Sequence, residues 1–288
     1  MKTTIIRIFL SIILFIVTFF ICAHIISLSR DYNLWGFGAL LGFILIFSID
    51  ALCIKKLTKL FPSKWVIYAS LFAVIFYAFA NLPSLKFAMK VFPTILSLAL
   101  GVLAAAVFAT DQIKNRYRYT FLLFLFPFVL NLNLYDTWVH YIEFGNTSGQ
   151  VTDEISVDFK VTDQEGRSIT NGDLKGKIVL MDFWFIGCAP CWKKFPELQQ
   201  LHEQYQHQPE VAIYAVNRPM SSDHPGQAFE SIRKKGYDFK VLQGTQKVMD
   251  DFGVYVYPTV VVINKEGNMV FMGQLDKAKD VVEALLQK

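Results

Sequence analysis

Cysteine is scarce in this chain, and acids are scarce over its first half. Four cysteines, Cys22, Cys53, Cys188 and Cys191, are too few to staple 288 residues into a disulfide scaffold. Almost all the acids lie after Asp136. No basic stripe with interleaved aromatics runs through the second half, and the excess behind the net charge of +4 sits in short loops between apolar runs. That placement bears on membrane topology and speaks against nucleic acid as a partner. What the chain has in abundance is apolar: 53% of its residues are hydrophobic, 27 are Phe, and the mean hydropathy is +0.37. These residues concentrate in the first half, so the composition predicts a membrane half followed by a soluble half.

A membrane-crossing helix needs about 20 mostly apolar residues. Five runs come near that length: Ile5–Leu28, Leu34–Ile54, Trp65–Leu82, Val91–Thr110 and Tyr119–Tyr135. The fifth is the weakest, being short and interrupted by Pro127, Asn131 and Asn133. One set of loop ends carries Lys2, Arg7, Lys55, Lys56, Lys59, Lys64, Lys114, Arg116 and Arg118; the opposite set carries only Arg30, Lys86 and Lys90. Positive residues favour the cytoplasmic side, so the N-terminus is expected inside. Five crossings then put everything after about residue 136 on the periplasmic or other extracytoplasmic side of the cytoplasmic membrane. The first run is too long for a signal-peptide core and lacks a clear small-x-small cleavage site, so it is expected to remain as a span.

Polar groups inside the runs invite a transport reading, but His24 and Asp50 lie within about a turn or so of a helix end, where interfacial water satisfies them. Cys22 would lie roughly 9 Å from the outer face and Cys53 roughly 28 Å, at 1.5 Å per residue. A disulfide needs Cα atoms within about 7 Å. Both are therefore expected as small buried hydrophobes, which removes the intramembrane pair that a quinone-linked oxidase would need.

The chain divides into a transmembrane domain over 1–136, a linker over 137–152 and a soluble domain over 153–288. In the last, Ser156–Val161 and Lys177–Phe183 pattern as strands, Ala189 to about Gln206 as a helix, Val211–Asn217 as a strand and Gly226–Lys235 as a helix. Thr259–Ile263 and Met269–Gly273 form a hairpin across Asn264-Lys265-Glu266-Gly267, and Lys277–Gln287 closes the domain as a helix. This order predicts an α/β sheet with helices on both faces.

The run Cys188-Ala189-Pro190-Cys191 follows a buried strand and opens a helix. A helix N-terminus offers free N–H groups and partial positive charge, which stabilise a thiolate. Cys188 is the expected nucleophile, and Cys191, a turn later, the resolving thiol. Half a zinc site is the competing reading, but no second C-x-x-C exists and His202, His207 and His224 lack ligand spacing, so no metal is expected. No cofactor motif is present either.

The run Val179-Leu180-Met181-Asp182-Phe183-Trp184-Phe185-Ile186-Gly187-Cys188-Ala189-Pro190-Cys191 resembles thioredoxin-fold proteins. The lead-in Phe159…Gly166…Leu174-Lys175-Gly176-Lys177 is similar to the TlpA/ResA-like branch, whose members reduce extracytoplasmic disulfides from a membrane anchor. The resemblance covers about residues 153–288. It implies that Tyr257-Pro258 is the cis-proline segment that pairs with substrate, that Asp182 is the buried acid taking a proton from the resolving thiol, and that Trp184, Pro190 and Pro196 support the site. A partly solvated strand-end aspartate is the other reading of Asp182. The chain departs from the pattern at Gly187, usually Trp, and at Lys194, often Glu. The implied partners are protein disulfides, a membrane or extracytoplasmic redox partner and the lipid bilayer. The implied activity is disulfide reduction; an oxidase or isomerase uses the same groups in reverse. A peroxiredoxin-like peroxidase would carry Thr or Ser where Phe185 stands.

Overall fold

The computed structural model describes residues 2–32 and 34–287, apart from the side chains of residues 2, 31, 32 and 152–154. Met1, Lys288 and the Lys2 side chain counted above lie outside the described residues. The chain forms two compact units, Met1–Ile142 and Glu143–Lys288.

The first unit is built from long apolar helices: α1 (Lys2–Tyr32), α2 (Trp35–Lys56), α3 (Ser63–Ala80), α4 (Leu85–Ala109) and α5 (Arg116–Phe144). All five are long and apolar enough to cross a membrane. Their outer faces are apolar, with Phe9, Phe20, Phe72, Phe79 and Phe121 exposed, the inverse of a water-facing surface. Small residues let the backbones approach. A Cβ on Gly36 of α2 would collide with the Asn131 carbonyl of α5, and one on Gly101 of α4 would come within 2.9 Å of the Phe43 carbonyl.

Helix α5 runs well past the expected Tyr135, so residues 137–144, expected as linker, are helical. Pro127 does not end it, because the backbone loosens into a π-helical turn at Leu130–Leu134. There the Asn131 amide donates to the Pro127 carbonyl (2.7 Å) and to Ser97 Oγ (2.8 Å). The asparagine that weakened the sequence pattern thus has its amide held by a helix carbonyl and by a neighbouring helix's hydroxyl, not left bare among apolar groups.

Asp50 also departs from expectation. It is 1% exposed, shielded from the water expected to satisfy it, and accepts a hydrogen bond from the Ser70 hydroxyl of α3 at 2.8 Å. Its partner lies on another helix, which helix-end position alone does not reveal. Cys22 and Cys53 are both free and pack in separate clusters, Cys22 with Ile46, Val74 and Leu98, Cys53 beside Leu14 and Ile54.

The second unit is a mixed eight-stranded sheet. Its strands are β1 (Gln150–Ser156), β2 (Lys160–Thr162), β3 (Ser168–Thr170), β4 (Ile178–Trp184), β5 (Val211–Asn217), β6 (Lys240–Gln243), β7 (Thr259–Ile263) and β8 (Asn268–Gly273). They lie in the order β1-β8-β7-β4-β5-β6-β2-β3. β4, β5 and β6 are parallel, and β7 runs antiparallel to β4. Helices α6 (Ala189–Tyr205), α7 (Gln227–Lys234) and α9 (Leu275–Leu286) cover one face, and α8 (Gln246–Asp251) packs on the other.

Every residue of β4 is buried, as a central strand covered on both faces requires. Alternation divides them: Ile178, Leu180 and Trp184 face α6 and α9, while Val179, Met181 and Phe183 face α8. The expected strand Ser156–Val161 resolves into the end of β1, an unpaired stretch and β2. Val157, Phe159 and Val161 do share one core, so the alternation was real, but ladder pairing is interrupted between them. Gln150, expected in the linker, already pairs with β8.

Candidate active site

Parallel pairing of β4 with β5, Trp184 opposite Asn217, brings both C-terminal ends to one edge of the sheet. The chain leaves β4 at Trp184, turns through Phe185-Ile186-Gly187 and enters α6 with Cys188 as its N-cap. Cys188 N–H donates to the Phe185 carbonyl (3.0 Å), and the Trp192 indole N–H donates to the Ile186 carbonyl (2.8 Å), fixing the turn from both sides.

Cys188 and Cys191 are joined as a disulfide, their Cα atoms 5.3 Å apart. Cys191 N–H donates to Cys188 Sγ at 3.2 Å. That contact is an N-cap made by sulfur: the first-turn N–H that would otherwise lack a partner points at the atom that would carry a thiolate's charge. Cys188 is 3% exposed and Cys191 fully buried, so the first cysteine is the less deeply buried of the two. Ala189 and Pro190 between them are exposed. Pro190 lies in the first turn, where its missing N–H costs nothing, and Pro196 sits farther along the same helix.

Beneath the dithiol, Trp184 is fully buried and meets Trp192 and Phe195 edge-on, with centroids 5.3 and 5.0 Å away. Asp182 occupies the same sheet face, between Leu180 and Trp184, and is fully buried. Neither of its oxygens has a hydrogen-bond partner among the described residues. Burial pushes its carboxyl up to about 8, with the Lys194 ammonium pulling the other way. Lys194 is itself held by Glu197 (3.1 Å) and by Asp276 of α9 (3.2 Å).

The Tyr257–Pro258 peptide bond is cis and immediately precedes β7, the other neighbour of β4. Tyr257 packs edge-on against Phe185 at 5.4 Å, and its phenol is shifted upward by burial, opposed by Arg218. Two positions here were not singled out from sequence, Trp192 within the helix that carries the motif and Arg218 just after β5; Phe185 was read only as the residue standing where a peroxidase would carry Thr or Ser. For Arg218 the only sequence signal was its place one residue beyond a strand end. Among the described residues, no group of three or more His, Cys, Asp or Glu side chains is arranged to hold a metal ion.

A dithiol capping the first helix after a central strand, on this sheet, defines a thiol–disulfide oxidoreductase of thioredoxin-like fold. Residues 152–272 match the AhpC/TSA family. Over 132 residues the chain is 33% identical to the thiol-disulfide oxidoreductase ResA of Bacillus thuringiensis (strain Al Hakam), covering 45% of this chain and 73% of that protein. It is 28% identical over 135 residues to the thioredoxin-like protein YneN of Bacillus subtilis (strain 168), with 47% and 75% covered. A thiol:disulfide interchange protein from Bacteroides sp., solved in solution, aligns at 22% identity with a TM-score of 0.43, covering 49% of this chain and 93% of that one. The chain belongs to the ResA family of thiol–disulfide oxidoreductases.

Proposed function

We propose that this chain is a disulfide reductase held in the cytoplasmic membrane by α1–α5, with its thioredoxin-like domain on the extracytoplasmic side. The observation that carries the dithiol chemistry is the Cys191 N–H aimed at Cys188 Sγ, which favours a thiolate at Cys188 for attack on a disulfide. In the reduced enzyme the Cys188 thiolate attacks one sulfur of a protein disulfide, and the other leaves as a thiolate that takes a proton from water to become the substrate's first thiol. Cys191 then passes its proton to Asp182 and attacks Cys188 Sγ, releasing the second substrate thiol. Two electrons have moved to the substrate, and the enzyme is left as the disulfide. A membrane or extracytoplasmic dithiol partner returns it to the reduced state.

Asp182 suits the resolving step: the minor fraction of its carboxyl that is ionised near neutral pH can accept the proton of the resolving thiol, and burial gives it the affinity to do so. The backbone at Tyr257 and Pro258 is assigned to substrate pairing, and Trp184, Pro190 and Pro196 to shaping the turn and helix that carry the dithiol. The sidedness rests on the lysines and arginines, nine at one set of loop ends against three at the other.

The test is the reduction potential of the full chain in lipid nanodiscs. A value near the about −270 mV of thioredoxin is expected, and one near the about −120 mV of a strong oxidant overturns the reducing role. Labelling of Cys188 in intact cells by a membrane-impermeant thiol reagent, after mild reduction, checks the side; labelling only after permeabilisation would refute it.

A further inference from the structure

We propose that Arg218, seated against Tyr257, forms a carboxylate-binding subsite beside Cys188. The preferred substrates would then be protein disulfides with an acidic side chain one or two residues from the attacked cysteine. The inference rests on the reading that this dithiol reduces protein disulfides, and it names their chemistry.

Backbone geometry fixes the position. Arg218 N–H donates to the Trp184 carbonyl at 2.8 Å, continuing the β4–β5 pairing one step past the sheet. Residue 218 is thus held next to the turn that presents Cys188. Its guanidinium lies 6.0 Å from the centroid of the Tyr257 ring, and that ring packs edge-on against Phe185. Arg218, Tyr257 and Phe185 form a row from the end of β5 to the residue before Pro258, and all three are half-buried. A peptide paired along 257 and 258 would run past the guanidinium.

Charge supplies the second argument. Several cations of this unit are held in ion pairs: Arg167 with Asp163 and Glu165, Lys194 with Glu197 and Asp276, Lys247 with Asp251, Lys265 with Glu210. Among the described residues no carboxylate lies within ion-pairing distance of Arg218. A half-buried guanidinium that leans on the Tyr257 phenol still has N–H donors of its planar fork to offer a carboxylate. Lysine would supply the charge there without the fork.

The experiment uses pre-reduced full chain in nanodiscs and single-turnover reduction followed by tryptophan fluorescence. Three disulfide peptides differ only in the residue after the cysteine: Asp, Asn or Lys. Each rate is divided by that for a small neutral disulfide, 2-hydroxyethyl disulfide, to remove changes common to all substrates. At low salt the Asp peptide should react about tenfold faster than the Asn peptide, the worth of one charge-assisted hydrogen bond, and faster still than the Lys peptide. Arg218→Gln should level the three, Arg218→Glu should invert the order, and Arg218→Lys should keep part of the preference. Because a variant can fail to fold, the wild type carries its own test: the preference should shrink as salt rises. Equal rates for the three peptides with the wild type, or an undiminished preference in Arg218→Gln, overturn the subsite alone. Failure of the wild type to reduce any disulfide, the neutral one included, overturns the reductase reading and the subsite with it.

Discussion

Substituting Asp182 by Asn tests whether a fully buried carboxyl without a hydrogen-bond partner governs this domain's response to pH. In the oxidised protein burial raises the carboxyl from an ordinary 3.8 to about 8. Above pH 4 the unfolded chain's carboxyl is ionised, while the folded one stays protonated until about pH 8. The folded state therefore binds more protons, and stability falls as pH climbs through this window, levelling off above it. Each pH unit is worth ~1.4 kcal/mol, so raising the pH from 6 to 8 should remove at most ~3 kcal/mol, or roughly a hundredfold in the opening equilibrium. Hydrogen exchange of the peptide Ile178–Trp184, read by mass spectrometry on the full chain and corrected for intrinsic exchange, reports that equilibrium when reclosing outruns exchange. Wild-type protection should fall over this range, whereas Asp182→Asn, a neutral group of the same shape, should stay flat. Parallel decline in both proteins would refute the reasoning, because the pH response would then come from elsewhere.

Lys194→Gln removes the cation that pulls Asp182 downward, so the pH at which wild-type protection levels off should move higher in the same exchange assay; no movement, or a lower value, counts against the pairing. Cys191→Ser should hold protein substrates as mixed disulfides on Cys188, seen as reductant-sensitive bands on gels, while Cys188→Ser should hold none; bands of equal strength in both would refute the division of labour between the two sulfurs. Gly36→Ala forces a Cβ into the Asn131 carbonyl at the π turn and should destabilise the first unit by ~1–3 kcal/mol, measured as a lower unfolding midpoint in detergent. Gly172→Ala in the second unit, whose nearest neighbour would be Thr170 Oγ1 at 3.7 Å, should leave the unfolding midpoint of that unit unchanged.

The parts legible in the sequence share a property: their information is local. The dithiol, the buried strand before it and the helix after it occupy one stretch from Ile178 to Tyr205, and hydrophobic periodicity with the C-x-x-C spacing announced them. The hairpin across Asn264–Gly267 announced itself in the same way, with Gly267 at φ +89° where its turn needs a left-handed residue. What was missed is held by partners distant in sequence. β1 pairs with β8, more than a hundred residues away, and its polar composition carries no strand signal of its own. β2, β3 and β6 are three or four residues long, below the length at which alternation can be counted. Arg218 reaches the site only because β5 lies in register beside β4. Asp50 is internal only because α3 brings Ser70 to it.

The membrane-type half shows the same dependence on long-range contacts, and this bears on whether it is only a tether. A tether demands length and hydropathy, and one helix meets both. The first unit carries more specific restraints. Thr94 and Tyr135 share a hydrogen bond of 2.5 Å between α4 and α5; Ser97 and Asn131 join the same two helices at 2.8 Å; Trp138 donates to the Met89 carbonyl at 2.8 Å. Asp50 and Ser70 tie α2 to α3. Glycines at 36 and 101 admit backbone contacts that no larger residue would allow. In a bilayer the hydrophobic effect does not press helices together, since lipid tails are as apolar as their side chains. Close packing of small residues and paired polar groups then supply the association, and each pair fixes the register of two helices as well as their proximity. Tethering requires no fixed register, so these contacts mark α2–α5 as one folded body, specified as closely as the dithiol domain that follows it.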